Sequence, residues 1–191
     1  MLVSDDLIVV IEKYENYIKQ SYRNRCTIFS ANGPLDLVVP VVKGKNPKIP
    51  INEVEISYDM NWQKQHFKAI ESAYRRSPFY EYYIDDFLPF FNCRYRYLYQ
   101  FNMQILHTVC NLIKIPVNIK ESSAYIQPTE EGIIDMRLKL HPKSVYNHND
   151  TTMPVYAQVF AEKWGFMPNL SILDLLFNTG PDTKKRLLKT F

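Results

Sequence analysis

The hydrophobic pattern of this chain changes period near Asn61, and that change constrains the fold more than any other feature. Before it, short apolar runs of strand length are separated by turn residues; after it, apolar residues recur at three- and four-residue spacing. Leu7 to Ile11 is a β-branched run and reads as a strand. Cys26 to Phe29 and Leu35 to Val42 flank Ser30-Ala31-Asn32-Gly33-Pro34, where Asn-Gly tolerates positive φ and predicts a hairpin. Leu35, Leu37, Val39 and Val41 share one face of the second arm. Pro40 cannot donate to a ladder, which puts that arm at a sheet edge or ends it there. Val54 to Ser57 is a further strand-like piece. The expected fold is mixed α/β (α+β): N-terminal strands with a β-hairpin, packed against several α-helices.

The helical part opens at Asn61, a natural N-cap, and runs to about Arg76, where Ser77-Pro78 stops it. Trp62, His66, Ala69, Ile70 and Ala73 recur on its inward stripe, so His66 faces either a core partner or a pocket. Phe79 to Phe101 holds 11 aromatic residues in 23 positions, enough for a thick aromatic core. Tyr97 to Ile113 is again helix-periodic and ends before Ile115-Pro116; a short strand follows at Val117 to Ile119. Glu121 to Met153 is polar and irregular. Tyr156 to Trp164 reads as a helix ending at Gly165, and Ser171 to Phe177 as another, capped by Ser171 or Asn169 and closed by Gly180. Residues 182–191, with the basic run Lys184 to Lys189, read as a frayed tail.

Composition removes several function classes. The 191 residues suit a single domain, 1–191, and no linker divides them. Twenty-three basic against 20 acidic residues, interspersed, give a net charge of +3, too mild to imply a nucleic-acid partner. No apolar run approaches a membrane span, and MLVSDDLIVV carries acids where a signal peptide needs cations, so the expected location is cytoplasmic. Cys26, Cys93 and Cys110 lack the spacing of a zinc site or redox dithiol; they read as reduced and mostly buried. Nucleophile elbow, HExxH and dinucleotide fingerprint are all missing, and the Lys43 to Asn52 loop lacks the spacing of a P-loop. The residues therefore imply no metal and name no cofactor.

The densest polar stretch is Tyr14 to Cys26, YENYIKQSYRNRC, between two apolar runs. If it is extended, Arg23 and Arg25 point the same way, and two guanidiniums side by side make a clamp for a phosphate or carboxylate; a solvated edge strand is the alternative. Further along lie Asp135, Arg137, His141 and Lys143. Should these groups converge, His66 or His141 is the candidate general base, Asp135 a further candidate catalytic group, and the cations candidate binders of an anionic small molecule.

The succession YENYIKQSYRNRC, ANGPLDLVVPV, NWQKQHFKAIESAYRRSPFYEYY and NLSILDLLFNTGP resembles the WbqC-like protein family, from about Ile8 to Pro181. The resemblance implies a bacterial setting among surface-polysaccharide genes such as those for O-antigen. It implies a role in making or decorating a nucleotide-activated sugar, with acyl or aminoacyl transfer as the candidate reaction. A non-catalytic assembly partner of the polysaccharide enzymes is the other reading. Polar positions matching the family pattern include Asn16, Tyr17, Arg23, Asn24, Arg25, Trp62, His66, Tyr74, Asp135, Arg137, His141, Lys143, Asn169, Asp174 and Asn178. Asn24, Trp62 and Tyr74 thereby join the expected substrate-binding set. Family members usually begin with an extra strand and helix, and Met1 falls after that element. Its loss would expose a sheet edge, and the expectation is pairing of two copies through it.

Overall fold

Asn32-Gly33 turns the chain as its composition predicts. In the computed structural model, which describes residues 8–42, 48–116, 118–129, 132–137 and 155–188, β2 (Arg25–Ser30) and β3 (Gly33–Val38) form an antiparallel hairpin. Its register runs from Arg25 opposite Val38 to Ser30 opposite Gly33. Gly33 has φ +100°, which an L side chain rarely adopts, and the Ser30 hydroxyl donates to the Gly33 carbonyl at 2.7 Å. Pairing stops two residues before Pro40, as a residue without an N–H dictates.

A second, parallel pair joins β1 (Ile8–Ile11) to β4 (Asn118–Glu121), with Ile8 opposite Asn118. The two small sheets and the helices make the fold mixed α/β. The helices are α1 (Trp62–Tyr74), α2 (Tyr80–Asn92), α3 (Leu98–Leu112), the single turn α4 (Ala161–Trp164), α5 (Ile172–Thr179) and α6 (Thr183–Leu188). None of them is long and apolar enough to cross a membrane, among the described residues.

Aromatic rings fill the space between these layers. Trp62 and Phe90 each meet Phe101 edge-to-face, at 5.7 and 5.9 Å between centroids. Phe177 of α5, fully buried, contacts Tyr74, Tyr80 and Phe87, tying α5 to α1 and α2.

The aromatic stretch after Phe79 supplies the expected core and also contains a helix the sequence reading left unassigned, α2, with Pro89 in its interior. Two expectations need correction. The helix expected over Tyr156 to Trp164 shrinks to Ala161–Trp164. Tyr156 and Gln158 both reach Asp174, and side chains two apart face one way only in extended chain. The supposed frayed tail is instead helical over Thr183–Leu188 and anchored by a fully buried Thr183. Of the cysteines, Cys93 is exposed.

Candidate functional site

The Tyr14–Cys26 stretch does not present two parallel arginines. Residues 13–17 run beside 49–52, with Tyr17 N–H donating to Ile49 O at 2.8 Å and Ile51 N–H to Glu15 O at 2.9 Å. The chain then turns, and Gln20 at φ +57° breaks the extension that the alternation argument needs. Arg25 therefore starts a strand while Arg23 lies in the turn before it.

Each guanidinium holds a carboxylate of its own. Arg23 grips Glu15 through two bonds of 2.7 Å, with the two side chains only 13% and 16% exposed. Arg25 lies 3.7 Å from Asp36. Asn24 is buried and donates to Val39 O, a turn anchor rather than a ligand contact.

Arg137 belongs to a neighbouring network. It takes Asp135 in two bonds, 3.0 and 2.8 Å, and approaches Glu12 at 3.9 Å. Glu12 also accepts from Ser122, Tyr14 N–H and Ile126 N–H. Burial pushes the Glu12 carboxyl up, but the hydrogen bonds outweigh it and the carboxyl titrates below its ordinary range. Glu15 lies within electrostatic reach of Arg137, so Arg23, Asp135 and Arg137 do come together around Glu12 and Glu15. The cluster is internally neutralised: each of these cations has a carboxylate partner.

His66 is half-buried against the core. Its ring meets Trp62 edge-on at 5.1 Å and donates to the Val38 carbonyl. Burial depresses its pKa to about 4, leaving the imidazole neutral at pH 7. Trp62 is 3% exposed and packed by Phe101. Tyr74 is fully buried; its hydroxyl accepts from Phe29 N–H at 3.0 Å and faces Asp174. His141, Lys143 and residues 43–47 of the Lys43 to Asn52 loop lie outside the described residues.

A second group of polar side chains surrounds an open groove. Its volume is about 900 Å³, within the range of small-molecule sites. One wall is the outer face of α1 and the turn after it: Lys68, Glu71, Ser72, Arg75 and Arg76. Lys68, Glu71, Ser72 and Arg75 share a helix face through their three- and four-residue spacing, opposite the His66 stripe. The other wall is the segment 157–160, which runs into the turn before α4, with Asn178 beside it. Lys68, Arg75 and Arg76 are exposed and, among the described residues, enter no ion pair.

Asp174 locks the second wall in place. Fully buried, it accepts from Tyr156 Oη at 2.7 Å and Gln158 Nε2 at 2.9 Å, while its carbonyl takes Asn178 Nδ2 at 2.7 Å. Burial lifts the Asp174 carboxyl above its ordinary range, partly offset by these donors; burial also lifts both tyrosines.

Of the residues chosen from sequence as catalytic or binding groups, none that lies among the described residues lines this groove. Arg75-Arg76, a dibasic pair at a helix end just before Ser77-Pro78, was the available signal.

Two comparisons bear on identity. The model of the WbqC-like protein family matches residues 1–153 and 143–186. The uncharacterized protein Rv1507c of Mycobacterium tuberculosis is 25% identical over 209 residues, covering 93% of this chain and 88% of that protein. No solved structure matches.

Proposed function

From membership of the WbqC-like protein family, to which this chain belongs, we propose that it acts in the cytoplasm in bacterial surface-polysaccharide biosynthesis, binding a nucleotide-activated sugar that it modifies by acyl or aminoacyl transfer. The observation that carries this reading is the α1 groove, with Lys68, Arg75 and Arg76 free to meet an anion. A diphosphate takes several donors and suits a bidentate guanidinium, which adjacent arginines at a groove rim supply. The opposite wall offers Val159, Phe160 and the polar Asn178, an apolar body with few hydrogen-bonding points, as a nucleoside or sugar requires. The neutralised Arg23 cluster and the neutral His66 act as framework in this reading.

A thermal-shift panel of nucleoside diphosphate sugars tests it. A ligand that binds only the folded chain raises its melting temperature, by about 2.7 kcal/mol of added stability at a hundredfold excess over Kd. The expected result is a rise with at least one nucleotide sugar that disappears in the R75A/R76A double variant. A flat panel refutes the proposal, and so does a rise that the double variant retains in full.

A further inference from the structure

The groove is not uniformly basic. Glu71 stands on its α1 wall between Lys68, three residues before it, and Arg75, four residues after it. A Glu-to-Arg spacing of four is favourable for an ion pair on a helix, yet Glu71 pairs with neither neighbour among the described residues. Its charge is nevertheless felt locally. With Glu71 as the first electrostatic cause after burial, the Tyr80 hydroxyl is pushed up to about 12, while Arg75 works against that rise. A half-buried carboxylate that forms no ion pair, set beside three cations, gives the wall charge of both signs, and such a wall fits a ligand with charge of both signs.

Resting on the nucleotide-sugar reading above, we infer that the sugar taken by this groove is an amino sugar. Its diphosphate meets Arg75, Arg76 and Lys68, and its protonated amine meets the Glu71 carboxylate. A charge-assisted hydrogen bond of that kind is among the stronger polar contacts, and an N-acetylated sugar cannot make it.

Isothermal titration of the full chain with UDP-glucosamine, UDP-N-acetylglucosamine and inorganic pyrophosphate, at about pH 6.5 so that the amine holds its proton, decides the matter. Wild-type protein is expected to bind the amino sugar about tenfold tighter than its N-acetylated counterpart. E71Q is expected to abolish that preference while binding pyrophosphate as tightly as wild type or tighter. Equal affinity of wild type for the two sugars overturns the inference and leaves the groove as a nucleotide-sugar site. A preference that persists in E71Q overturns the role of Glu71. Binding of neither sugar overturns the proposed function itself. Should E71Q fail to fold, the wild-type comparison of the two sugars still decides.

Discussion

An imidazole edge-on to Trp62 and donating to the Val38 carbonyl resists protonation, because burial removes the water that would solvate the cation. His66 therefore titrates near 4 in the folded chain against 6.5 when unfolded. Between those values the unfolded chain binds the extra proton, so stability falls as pH drops from about 6.5 to about 4. Denaturant titrations across that window should show a shallower fall for His66→Phe than for wild type; parallel curves would contradict the assignment. Arg23 makes the complementary case. Breaking its two bonds to Glu15 leaves a poorly hydrated carboxylate, so Arg23→Ala should cost about 2 kcal/mol in chemical denaturation, discounted for partial exposure. Nucleotide-sugar affinity should be unchanged in that variant. The sequence showed both residues as conspicuous polar groups but not their partners, Glu15 and the Val38 carbonyl, which only the folded chain brings near.

At the scale of elements, the parts with a clean period were legible and those shaped by a distant partner were not. The hairpin at Asn32-Gly33, the α1 stripe and the Ser171 cap of α5, whose hydroxyl accepts from Leu173 N–H, all follow from local chemistry. Helix α2 was hidden by aromatic residues of modest helix propensity and by Pro89; packing of Phe87 and Phe90 overrides both. Segment 156–158 gave no local sign that Asp174 would hold it extended. Two substitutions probe the joints between elements. Gly180 ends α5 at φ +52°, and a Cβ there would sit 2.5 Å from the Phe79 ring, so Gly180→Ala should lower stability by about 2 kcal/mol or more, read as a drop in melting temperature. Tyr74→Phe removes the acceptor for Phe29 N–H and should cost about 1–3 kcal/mol by the same measurement.

Across the whole molecule, charge is divided between two places with different work. Around Glu12 and Glu15 opposite charges are paired and bind the N-terminal segment to Ser122, Ile126 and Arg137. Along the α1 groove they are left open. The WbqC-like resemblance was legible in YENYIKQSYRNRC and its companions, but among the site residues chosen from sequence Arg23, Asp135 and Arg137 belong to the first place and the groove cations were passed over. The second needed the wall 157–160, some eighty residues from α1 in sequence, to become visible. Hydrogen exchange with and without a saturating nucleoside diphosphate amino sugar separates the two most directly. The account predicts slower exchange over residues 68–78 and 157–160, with residues 14–26 and 132–137 unchanged. Protection confined to 14–26 and 132–137, or no protection anywhere, would contradict it.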